Sequence, residues 1–82
     1  MDKPIGKITH YFNKIQVAVI KLEDGELSKG DKIKIVGHGK EFEQEISSMQ
    51  VEHKEIEKAE SGSEFGMKMN EDVKPGDLIY KI

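Results

Sequence analysis

The run Asp31-Lys-Ile-Lys-Ile-Val36, the link Gly37-His-Gly-Lys40 and the run Glu41-Phe-Glu-Gln-Glu-Ile46 impose an apolar/polar alternation on nearly a fifth of the chain. A period of two puts successive side chains on opposite faces of an extended backbone, which a helix cannot do. These residues therefore predict a β-hairpin with Ile33, Ile35, Phe42 and Ile46 inward. Lys32, Lys34, Glu41, Glu43 and Glu45 then point outward. A four-residue link from 37 to 40 sets Lys34 opposite Glu43 and Lys32 opposite Glu45. Such opposed charges are worth about 0.2–1 kcal/mol each, so the glutamate run sets register and needs no catalytic explanation.

The same logic extends along the chain. Ile5 to Phe12 and Ile15 to Leu22 are rich in β-branched and aromatic residues and are separated by Asn13-Lys14, which predicts two paired strands. Gly25 ends the second in a turn. After Ile46 the inward parity changes to Met49 and Val51, so a β-bulge is expected at Ser47-Ser48. Residues 55–61 read as a loop or a single turn, with Ile56 and Ala59 as weak anchors. Glu64 to Met69 alternates again, with Phe65, Met67 and Met69 inward, and Asp77 to Ile82 forms the last strand. Leu27-Ser-Lys-Gly-Asp-Lys-Ile33 and Val73-Lys-Pro-Gly-Asp-Leu-Ile79 share an apolar-x-x-Gly-Asp-x-Ile pattern, a turn feeding a strand. Pro75 followed by Gly76 is the signature of a type II turn.

Eighty-two residues make one domain, residues 1–82, which buries only about 60% of its unfolded surface. With no cysteine to form a disulfide or thiolate site, stability is expected from sheet closure. The expected fold is all-β, a small closed or nearly closed six- to seven-stranded antiparallel β-barrel. Ile33, Ile35, Phe42, Ile46, Phe65 and Met67 are expected in one core. No window has the ~18 apolar residues of a membrane span, and Met1-Asp2-Lys3-Pro4 is unlike a signal peptide. The chain reads as complete and cytoplasmic.

All 13 basic residues are lysine, in a chain of net charge −3. Lysine lacks the bidentate fork that arginine uses for specific phosphate and base recognition, which disfavours sequence-specific DNA binding. The charge is uneven: residues 5–40 hold seven lysines against four acidic residues, and residues 41–72 hold three against ten. His10-Tyr-Phe12, beside Lys7 and Lys14, combines stacking faces with cations, so Lys7, His10, Tyr11 and Lys14 are the candidate nucleic-acid-binding residues. The competing reading gives the aromatics to the strand core. His10, His38 and His53 are the plausible transition-metal ligands, but none has the spacing of a zinc-binding pair. Carboxylates are abundant without a visible pairing in a pocket, and no Gly-x-Ser-x-Gly or phosphate-loop motif is present. No catalytic residue, metal site or cofactor is expected, and the chain is read as no enzyme by itself.

Gly25-Glu-Leu-Ser-Lys-Gly-Asp-Lys-Ile-Lys-Ile-Val-Gly37, Ile46-Ser-Ser-Met49, Ala59-Glu-Ser-Gly-Ser-Glu-Phe-Gly-Met67 and Val73-Lys-Pro-Gly-Asp-Leu-Ile79 form an ordered set. Together they resemble the β-barrel domain 2 of translational GTPases, the elongation factor Tu type, from about Ile5 to Ile82. The chain is also similar to the stand-alone translation elongation factor-like proteins. That resemblance implies a translation-protein barrel docking on the ribosome, tRNA or a translation-associated protein. Family members that carry aminoacyl-tRNA have acidic residues where this chain has Gly6, Lys7 and Ser48, so the implication extends to the barrel and not to that pocket. Similar barrels are appended to other proteins, including collagenase-like peptidases. A detached accessory barrel partnering an enzyme on another chain is therefore the alternative function, and a small enzyme or metal protein built on the histidines is a third.

Overall fold

The computed structural model describes residues 3–37, 39–52 and 54–82. The elements are β1 (Gly6–Phe12), β2 (Val17–Leu22), β3 (Leu27–Ser28), β4 (Lys32–Gly37), β5 (Lys40–Glu45), β6 (Met49–Val51), β7 (Lys54–Ile56), β8 (Lys58–Ala59), β9 (Glu64–Lys68) and β10 (Leu78–Lys81). Every pairing is antiparallel. Among the described residues no helix is long and apolar enough to cross a membrane.

The alternating hairpin forms with the register that its charges set: Lys32 lies opposite Glu45 and Lys34 opposite Glu43. The ion pair of Lys34 is nevertheless diagonal, to Glu41 at 3.2 Å. Ile33, Ile35, Ile46, Phe65 and Met67 are buried in one apolar cluster, against which Phe42 packs half-buried. Full burial of each large side chain contributes about 1.5–3 kcal/mol, and residues of eight strands supply this cluster.

The sheet does not close. Eight strands run in the order β5-β4-β10-β1-β2-β9-β6-β7, and β3 with β8 forms a separate two-stranded sheet. This corrects the closed or nearly closed six- to seven-stranded barrel. Two features account for the open ladder. The end strand β5 carries exposed Lys40, Glu41, Glu43 and Glu45, and such charges discourage further edge pairing. At the other end β6 and β7 have three residues each, too short to reach a distant partner. A side chain spans part of the gap instead. Buried Gln44 donates its Nε2 to the Lys68 carbonyl at 3.0 Å and accepts the Asn70 N–H through Oε1 at 3.0 Å.

Other expectations also change. The expected bulge at Ser47-Ser48 is a crossover: β5 ends at Glu45, and Ile46 leaves it, its N–H bonded to the Asp31 carbonyl and its own carbonyl to Gly30 N–H. A register shift falls instead in β1, between Ile8 and His10. Asn13-Lys14 widens to the four-residue turn 13–16, in which Gln16 has φ 56° and Ile15 is 63% exposed. Residues 55–61 contain β8 and most of β7, because Ile56 pairs with Met49 and Ala59 with Leu27 over the core.

The repeated Gly-Asp pattern is repeated geometry. Asp31 accepts the Ser28 N–H at 2.9 Å, and Asp77 accepts the Lys74 N–H at 3.0 Å. Each turn also has its reverse-turn bond, Asp31 N–H to Ser28 carbonyl and Asp77 N–H to Lys74 carbonyl. Gly30 and Gly76 both sit at φ 97°, the left-handed region that a side chain would strain.

Candidate functional site

The shift in β1 decides which residues share a face. Strict alternation from Ile8 would bury His10 and Phe12 and expose Tyr11. The extra residue reverses this: His10 and Phe12 are exposed, while half-buried Tyr11 packs against the core. The Tyr11 hydroxyl donates to Asp72 at 2.9 Å, and burial, together with that carboxylate, raises its pKa above the ordinary phenol value. Of the four residues singled out in the sequence, Lys7 and His10 therefore lie on the outer face of β1, Lys14 lies in the turn that ends the hairpin, and Tyr11 is turned away.

The strands beside β1 extend this face. Across β1, β2 and β9, Lys7 lies opposite Lys21 and Lys21 opposite Glu64. In the next row His10 meets Val19 and Val19 meets Gly66; beyond it Phe12 meets Val17 and Val17 meets Lys68. His10 and Phe12 stack, their ring centroids 6.4 Å apart and their planes inclined by 22°. Phe12 is 51% exposed, and a Cβ at Gly66 would approach the Val17 Cγ1 to 3.2 Å, so the absent side chain leaves a dip beside the valines.

Among the described residues no carboxylate lies within ion-pair distance of Lys7, Lys14, Lys21 or Lys68, whereas Lys29, Lys34, Lys40, Lys58 and Lys81 are each ion-paired. Glu64 lies across from Lys21 but accepts the Thr9 hydroxyl at 3.5 Å. The face is thus an aromatic and aliphatic centre rimmed by unneutralised ammonium groups. Sequence reading named Phe12 in the His10-Tyr-Phe12 cluster without selecting it, and missed Lys21 and Lys68, because their shared face depends on the β1 shift and on the β2–β9 pairing. The one legible signal was a histidine at a position where strict alternation expects a core residue.

Elsewhere Lys3, Lys32, Lys54 and Lys74 also lack an ion pair among the described residues, but none of them lies on β1, β2 or β9. A groove of about 440 Å³ over β4, β5 and β10 is lined by the paired Lys34 and Glu41 with Val36, Glu43 and Tyr80. No three His, Asp or Glu side chains among the described residues are grouped to hold a metal; His38 and His53 lie outside those residues.

Residues 16–80 match the family model described as elongation factor Tu domain 2. The chain belongs to that domain family. Its named relatives, however, are proteases. Over 79 residues, 95% of this chain, it is 38% identical to an uncharacterized protease of Methanocaldococcus jannaschii and 33% identical to a collagenase of Porphyromonas gingivalis. It spans about a fifth of these proteins, 19% and 22% of their lengths. Among solved structures, the C-terminal domain of a Geobacillus thermoleovorans protein assigned to the U32 peptidases superposes with TM-score 0.89 at 18% identity, covering 96% of this chain and 99% of that domain. This likeness shows a shared fold.

These relatives overturn the expectation of a stand-alone translation elongation factor-like protein, and with it a binding module docking on components of translation. They also correct the reading of the chain as no enzyme, because it matches parts of proteins named as a protease and a collagenase.

Proposed function

We propose that the chain is an accessory domain of a peptidase lineage, working beside a peptidase catalytic unit. The observation that carries this reading is the match of 95% of the chain to about a fifth of two proteins named as a protease and a collagenase. A segment with its own apolar cluster, recurring inside longer proteins, has the properties of a unit that folds by itself and positions or completes another. Fold alone does not fix function; the sequence relatives and the uneven surface support this reading. Residues 1–82 act as one domain in this reading, and the absence of cysteine fits a cytoplasmic setting.

Affinity purification of the tagged chain from native lysate, with both protein and RNA analysed, tests the proposal. Recovery of a peptidase-family protein in near-stoichiometric amount is the expected result. Recovery of ribosomal subunits or tRNA without a peptidase overturns it.

A further inference from the structure

We infer that the outer face of β1, β2 and β9 docks an acidic polypeptide segment bearing an apolar anchor side chain. This rests on the accessory-domain reading and names the chemistry of the partner. Three observations converge on the face. First, Lys7 and Lys21 stand directly opposite one another, and like charges in that position repel. Glu64, across from Lys21 on the next strand, offsets part of that repulsion, but no carboxylate of the described residues is within ion-pair distance of either lysine, so an arriving anion relieves the rest. Second, Phe12, at 51% exposure, stands with His10, Val17 and Val19 between the Lys7–Lys21 row and the turn that carries Lys14. An apolar centre with a polar rim is the anatomy of a protein interface. Third, these lysines sit on a chain whose net charge is −3, so the face is a local reversal of sign. Charge of one sign concentrated on one patch steers a partner of the other sign and rejects like-charged ones.

A polypeptide fits better than a nucleic acid. The centre of the face is mainly aliphatic, with a single stacked ring pair, and the cations are all lysines, without the planar arginines that grip phosphates. The dip at Gly66, flanked by Val17, suits one apolar side chain.

The test uses a fluorescein-labelled peptide of sequence Asp-Glu-Asp-Phe-Glu-Asp-Glu, the same peptide with Ala for Phe, and labelled oligouridylate, each titrated by fluorescence anisotropy. The Phe peptide should bind most tightly and weaken with added salt. Lys7→Glu with Lys21→Glu should weaken it at least about tenfold, and Phe12→Ala should abolish the advantage of the Phe peptide over the Ala peptide. All three substituted positions are exposed, and circular dichroism checks that the variants fold. Undiminished binding by the variants, no binding by the parent chain, or tighter binding of oligouridylate overturns the inference. The titration requires no peptidase, so its failure rejects the face alone. Failure of the parent chain to recover a peptidase from lysate rejects the accessory reading alone.

Discussion

The Gln44 carboxamide holds the end strand β5 to the chain just beyond β9, accepting the Asn70 N–H at 3.0 Å while donating to the Lys68 carbonyl at the same distance. One side chain thus substitutes for a missing piece of backbone ladder in a sheet that stays open. Gln44→Leu keeps the volume and removes both bonds, leaving a backbone donor and an acceptor unpaired. Stability should fall by about 2–3 kcal/mol, lowering Tm by roughly 10–20 °C in a domain of this size. Thermal unfolding followed by circular dichroism measures it, and an unchanged Tm would show that the open ends need no such tie.

The two Gly-Asp turns should differ in what their carboxylates are worth. Asp77 is buried, at 3% exposure, whereas the Asp31 side chain is 31% exposed and also faces Lys81 at 3.6 Å. Asp77→Ala removes the buried acceptor of the Lys74 N–H and should cost about 1–3 kcal/mol. Asp31→Ala should cost less, because the Asp31 carboxylate is the more exposed to water of the two. Denaturant midpoints of the two variants decide the order, and equal losses would contradict it.

Tyr11 gives a pH signature. Its pKa is raised by burial first and then by the Asp72 carboxylate. The neutral phenol is therefore the form the fold prefers. Its contribution to stability is complete below the ordinary phenol value near 10 and is lost as pH rises through the higher folded value. Asp72→Asn should bring the Tyr11 midpoint down toward the ordinary value in a spectroscopic phenolate titration. A midpoint that does not move would leave burial as the whole cause.

Most strands were legible because their alternation is local: Ile33 and Ile35 against Lys32 and Lys34 state both the strand and its inward face. The register of that hairpin was legible for the same reason, since a short link and opposed charges leave little choice. Closure was not, because whether β5 meets a far strand depends on the ends of a twisted sheet and on Gln44, which the alternation turns inward but whose distant partners Lys68 and Asn70 no local pattern names. The candidate face was half legible. Lys7, His10 and Lys14 could be read as a lysine and aromatic cluster, but a single extra residue in β1 moved Tyr11 to the core side and brought Phe12 out to join Val17 and Lys68.

The most direct test of the accessory-domain account is a segment replacement in the Methanocaldococcus jannaschii protease, assayed by hydrolysis of labelled casein. Three proteins are compared: the parent, a deletion lacking the segment that this chain matches, and a chimera carrying this chain in its place. The account predicts that the deletion loses hydrolysis and that the chimera restores most of it. A chimera no better than the deletion, or a deletion as active as the parent, would contradict it.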